Sequence, residues 1–240
     1  SAMTGLLVLP ILVPMGTAVT AWFLRRHYSH AGAAVLAGAL IHLACAGLLL
    51  SAVMTQGVLV HRMGSWPAPA GICLVADLLS AVLVLVTAIL HVAVVIHTRI
   101  DATSGQIRAG FYSFMQMLTG AICGAFLTGD LFNLYVWFEV MLMASFGIMV
   151  MDHPAARLPN AVKYVTLNIV ATLFLLTGIG LVYGLTGTLN LADLHGKIVL
   201  VENDGLLAGT SLLLMTAFGI KSALFPLFFW LPAAYPTLPP

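Results

Sequence analysis

Residues 206–231 read LLAGTSLLLMTAFGIKSALFPLFFWL, an apolar run interrupted by a single charge, Lys221. A helix crosses a hydrocarbon layer of about 30 Å with about 20 apolar residues, so this run is long enough to span one. Lys221 then lies deep in low dielectric, where an ammonium costs at least ~2.5–3.5 kcal/mol on insertion scales. Its neighbours one helical turn away are Ala217, Phe218, Leu224 and Phe225, and none can accept its hydrogen bond. The lysine must therefore snorkel, face water, lose its proton or meet an acid from another helix. Five residues on, Pro226 cannot donate to the helical ladder, so a helix break is expected there. Broken backbone at membrane depth is tolerated only against protein or a water-lined cavity.

The rest of the chain has the same character. It is 61% hydrophobic and 7% charged, where soluble domains carry about 25% charged residues. An all-α polytopic membrane protein is expected, forming one transmembrane domain over residues 1–240. Its seven spans fall near 6–24, 31–54, 72–97, 109–128, 131–151, 160–185 and 206–231. Gly120–Gly124 and Gly180–Gly184 have the spacing of close helix packing. The loops after the first, third and fifth spans hold Arg25, Arg26, Arg99, Arg108 and Arg157, against Arg62 and Lys197 after the second, fourth and sixth. That bias puts the first set in the cytoplasm and the N-terminus outside a cell membrane.

Ionisable groups inside spans are functional by default. Glu139 lies about 12 Å into the fifth span at 1.5 Å per residue, and its helical neighbours Tyr135, Val136, Leu142 and Met143 include no cation. Its partner must also come from another helix. Desolvation and pairing act in opposite directions on an acid–base pair, so a Glu139–Lys221 contact that forms and breaks would change the lysine's hold on a proton. Lys163, near the start of the sixth span, either joins this set or snorkels to the headgroups. Asp77 and Asp130 read as proton carriers or as helix-start acids. His42 and His91 read as proton carriers or as hydrogen-bonded packing residues. The three cysteines, Cys45, Cys73 and Cys123, show no ligand spacing, and the chain has no GxSxG, HExxH or Walker motif. No cofactor, metal or nucleic-acid partner is expected.

Four stretches carry a resemblance: WPAPAGICLVADLLSA (66–81), GDLFNLYVWFEVMLMASFGIMV (129–150), YGLTGTLNLADL (183–194) and FGIKSALFPLFFWLP (218–232). They resemble the antiporter-like subunits shared by Mrp-type multisubunit cation/proton antiporters and respiratory complex I, with ADLLSA (76–81) and TGTLNLADL nearest the D-type branch. The resemblance implies a proton pathway through Glu139 and Lys221, with Lys163 where relatives also carry a lysine. It implies two inverted repeats with broken helices, of which this chain would supply the first. It also implies hydrophobic partner subunits and exchange of protons for a monovalent cation, Na⁺ first. A proton-pumping arm of a complex I-like oxidoreductase or membrane-bound hydrogenase is the second expectation, and a non-conducting structural remnant the third.

Overall fold

The computed structural model describes residues 2–66, 69, 71–151 and 154–234. In chain order they form α1 (Ala2–Leu24), α2 (Tyr28–Gln56), β1 (Leu59–Arg62), β2 (Cys73–Ala76), α3 (Leu78–Asp101), α4 (Ser104–Ala109) and α5 (Phe111–Phe126). There follow α6 (Leu131–Val150), α7 (Pro154–Thr186), α8 (Leu191–Lys197), α9 (Asp204–Lys221) and α10 (Trp230–Ala234). Five of the described helices, α1, α2, α3, α6 and α7, are long and apolar enough to cross a membrane. The 16 residues of α5 and the 18 of α9 rise about 24 and 27 Å at 1.5 Å per residue.

The packing is that of a bilayer protein. Ala31, Ala39, Ala46, Ala88, Ala121 and Ala171 are fully buried, while Leu12, Phe23, Leu48 and Leu90 are exposed. With lipid as apolar as leucine, helices gain by close approach, which small residues allow. At Gly120 an added Cβ would stand 3.1 Å from Met15 Cγ, and at Gly124 it would collide with the Trp137 ring, so this glycine pair seats α5 against α1 and α6. The second pair does not behave as its spacing suggests: Gly180 and Gly184 face open space. The contacts divide the helices into two groups, α1–α2–α3–α5 and α6–α7–α9, joined where α5 meets α6.

Three boundaries differ from the sequence expectation. Residues 73–76 pair as β2 with β1 in an antiparallel ribbon instead of opening the third span. The helix waits for Asp77, whose Oδ1 accepts from Ser80 N–H at 2.8 Å while Ser80 Oγ accepts from Asp77 N–H at 2.9 Å, a reciprocal cap. The ribbon also adds strand to an all-α expectation. It is knitted to two loops: Val75 N–H donates to Leu127 O, Gly129 N–H to Cys73 O, and Leu191 N–H to Gly129 O, at 2.7–2.9 Å. At the other end, α7 begins at Pro154; proline at a first helical position removes only an N–H that has no partner there.

The third difference concerns the break. Helix α9 stops at Lys221, five residues before Pro226. Leu224 N–H donates to Gly219 O at 2.8 Å and Ala223 N–H to Ile220 O at 3.1 Å, the two bonds of a Schellman ending. Trp230 Nε1 adds a 2.7 Å bond to Ile220 O. The helix is therefore ended by its own carbonyls finding partners; Pro226 lies in the turn beyond, after a cis peptide bond with Phe225.

Two outcomes follow from these termini. Ala223 holds a left-handed φ of 54°, which costs a residue with a Cβ roughly 1–2 kcal/mol; after glycine's own entropy cost, Ala223→Gly is expected to stabilise by about 0.5–1 kcal/mol, read by thermal unfolding in detergent. Asp77→Ala is expected to destabilise α3 by about 1 kcal/mol in the same assay. The backbone and side-chain bonds from Ser80 hold the Asp77 carboxyl below the usual carboxylate range. The cap's contribution is therefore full above the unfolded-chain value and fades as pH falls through the folded one.

Candidate functional site

In the second helix group, an acid and a base from different helices converge on one hydroxyl. Glu139 stands midway along α6 and Lys221 is the last residue of α9. Between them, on α7, is Thr172. Its Oγ1–H donates to Glu139 Oε1 at 2.6 Å, and Lys221 Nζ donates to the same Oγ1 at 3.4 Å. A hydroxyl has one proton and two lone pairs, so it can do both at once. Glu139 and Lys221 make no direct ion pair: the pairs among the described residues are His97–Asp101 and Lys197–Asp193, both on exposed helix surface.

Two features hold the lysine in place. The last turn of α9 concentrates carbonyl charge where a cation is favoured. The Lys221 ammonium also lies 5.0 Å from the Phe138 ring centroid, within cation–π range. Beside it lies a cavity of about 360 Å³, whose wall is mostly apolar and includes Leu118, Leu142 and Met149 together with Ser145, Tyr164 and Asn168. Tyr164 Oη and Ser145 Oγ bond across α7 and α6 at 2.7 Å, and Asn168 Nδ2 donates to Tyr164 O at 2.9 Å. Tyr164 and Trp230 meet edge to face with centroids 5.5 Å apart. The lysine thus has two neighbours, a carboxylate-bonded hydroxyl and a largely apolar cavity into which Ser145, Tyr164 and Asn168 bring polar groups.

The remaining candidates lie elsewhere. Lys163 is on the exposed face of α7, outside this set. Asp77 and Asp130 cap α3 and α6; Asp130 is buried, and its Oδ1 accepts from Asn133 N–H at 2.8 Å. His42 and His91 meet in the first helix group, Nδ1 to Nδ1 at 3.2 Å, with Cys123 Sγ 3.4 Å from His42 Nε2. Pro226 is not the breaking residue but follows it. Among the described residues, no three His, Cys, Asp or Glu side chains are placed to hold a metal.

Thr172 and Trp230 are site residues that the sequence reading passed over. A signal for Thr172 was present: Tyr164, Asn168 and Thr172 recur every four residues in a stretch that is apolar between them except for Thr166, which puts the three on one helix face.

Comparison with known proteins places this geometry in a family. Residues 128–240, which carry Glu139, Thr172 and Lys221, match the transmembrane domain described as NADH:quinone oxidoreductase/Mrp antiporter. The D-type subunit of the Na(+)/H(+) antiporter of Bacillus subtilis is 38% identical over 233 residues, 97% of this chain and 47% of the relative. Its namesake from Alkalihalophilus pseudofirmus is 37% identical over 239 residues, again 97% of this chain and 47% of the relative. The Mrp complex from Dietzia sp. DQ12-45-1b contains a chain that superposes with a TM-score of 0.87 at 29% identity, over 99% of this chain and 44% of that one. The chain spans about half the length of the curated relatives it matches. Matching domain, sequence relatives and superposed fold agree: residues 128–240 carry the NADH:quinone oxidoreductase/Mrp antiporter transmembrane domain, and the chain as a whole is similar to about half the length of D-type antiporter subunits.

Proposed function

We propose that this chain is a membrane subunit of a multisubunit antiporter exchanging protons for a monovalent cation, Na⁺ in the first instance, and that it contributes a proton half-channel. The observation that carries the reading is the convergence of Glu139 and Lys221 on Thr172 inside the bundle. An acid and a base joined through one hydroxyl can trade a proton without creating net charge in low dielectric, where isolated charge is most costly. The names of the relatives supply the cation. The cavity beside Lys221 supplies room for water on one side of the site.

In this reading the chain is a transporter component and not an enzyme. It sits in a cell membrane with its N-terminus outside and the Arg25, Arg26, Arg99 and Arg108 end in the cytoplasm, as the excess of cations at that end favours. Partner membrane subunits complete the path, and in this reading Lys163, exposed on α7, serves a path shared with one of them. A second reading, a proton-pumping arm of a redox-driven complex, is favoured by the other half of the family's description, NADH:quinone oxidoreductase. Co-purifying subunits separate the two: iron–sulfur or flavin proteins support the second, small hydrophobic membrane proteins the first.

In vesicles holding the complete assembly, Glu139→Gln and Lys221→Ala are each expected to lower cation-dependent proton flux by about 10²-fold, the low end for a positioned proton-transferring group. Undiminished exchange in either variant, at normal expression, would remove its assigned role.

A further inference from the structure

Threonines inside these helices have a common habit. Thr87, Thr119, Thr177 and Thr210 each turn the hydroxyl back to the carbonyl four residues earlier, at 2.8–3.0 Å. That bond satisfies a hydroxyl locally and needs no other helix. Thr172 departs from the habit. Its hydroxyl, on a residue only 8% exposed, leaves its own helix and bonds Glu139 of α6.

The two limbs of the bridge are unequal. The 2.6 Å from Thr172 Oγ1 to Glu139 Oε1 lies in the range of strong bonds from a hydroxyl to a carboxylate, about 2.5–2.7 Å. The 3.4 Å from Lys221 Nζ to Thr172 Oγ1 is well beyond the 2.7–2.9 Å typical of charge-assisted N–H donors, by roughly half an ångström. The hydroxyl is thus bound firmly to the acid and loosely to the base, and the base sits on the terminal residue of a broken helix beside a cavity. A small advance of Lys221 completes a continuous chain from ammonium to carboxylate.

We propose that Thr172 is the relay through which a proton passes between Lys221 and Glu139, so that the two never need to pair directly. This rests on the transport reading of the same site. In the step, an N–H bond of the Lys221 ammonium breaks and its proton forms a new O–H bond on Thr172. The original Thr172 O–H breaks in concert and its proton forms an O–H bond on Glu139. Ammonium becomes amine, carboxylate becomes carboxylic acid, and the hydroxyl is regenerated with a different proton. The hydroxyl then points toward Lys221 and accepts from Glu139. It turns back once Lys221 regains a proton from the cavity side and Glu139 gives up its own. Retreat of Lys221 opens the weak limb and stops the return.

The test compares Thr172→Val, which keeps the shape and removes the hydroxyl, with Thr172→Ser, which keeps the hydroxyl. Both are made in the complete assembly in vesicles. Thr172→Val is expected to slow proton–cation exchange about 10²-fold, and Thr172→Ser to restore most of it. The infrared band of the protonated Glu139 carboxyl, identified by its loss in Glu139→Gln, is expected to move to higher frequency in Thr172→Val and to stay in place in Thr172→Ser. Wild-type exchange in Thr172→Val overturns the relay, as does an unmoved carboxyl band in that variant. Equal slowing in Thr172→Ser also overturns it, since the methyl group would then be what matters. Glu139→Gln keeps the two readings apart: inactive Glu139→Gln beside fully active Thr172→Val removes the relay alone, whereas active Glu139→Gln removes the transport reading beneath it.

Discussion

A charged side chain inside hydrocarbon has no solvent to fall back on, so every one must find its partner within the protein. In this chain one hydroxyl joins two such charges. Glu139 and Lys221 come from different helices and neither has a partner on its own. Thr172 takes a bond from one and gives a bond to the other. A direct buried ion pair would be held tightly, since breaking one leaves an unpaired charge at a cost of about 3–5 kcal/mol. Inserting a neutral group that donates and accepts keeps both charges satisfied while leaving the contact easy to open.

The surrounding fold serves that arrangement. Helix α9 ends at Lys221 because Gly219 and Ile220 find other donors for their carbonyls, Leu224 N–H for one and Ala223 N–H with Trp230 Nε1 for the other. Trp230 in turn rests against Tyr164, one helical face along from Thr172. The polar face of α7 thus ties the end of α9 to the middle of α6. At the opposite end of the bundle the β1–β2 ribbon and the loops around Gly129 and Asn190 are hydrogen-bonded together, which fixes where α6 begins and α7 ends. The first helix group flanks this arrangement, with His42 bonded to both His91 and Cys123 inside it.

Much of this was legible from residue order. Hydrophobic runs long enough to span, the loop arginines, and two intramembrane charges with apolar neighbours all follow from the sequence, because they depend on composition and on periodicity along one helix. The break expected at Pro226 has its counterpart five residues earlier, where α9 ends at Lys221. Proline explains why a helix cannot continue, but α9 ends earlier, where a tryptophan from ten residues on supplies a donor. The same local reasoning set the third span too early, since an apolar stretch before a capping aspartate serves a strand as readily as a helix.

The sequence by itself determined that this is a membrane protein, and that neither Glu139 nor Lys221 has a partner of opposite charge one turn away on its own helix. Only the tertiary structure decided what answers them. Whether Thr172 turns back to its own helix or outward to Glu139 depends on what stands opposite its hydroxyl. Residues 139, 172 and 221 are separated by more than thirty positions each, so nothing in local spacing reports it. Periodicity says which side chains share a face; the crossing of α6, α7 and α9 says which faces meet.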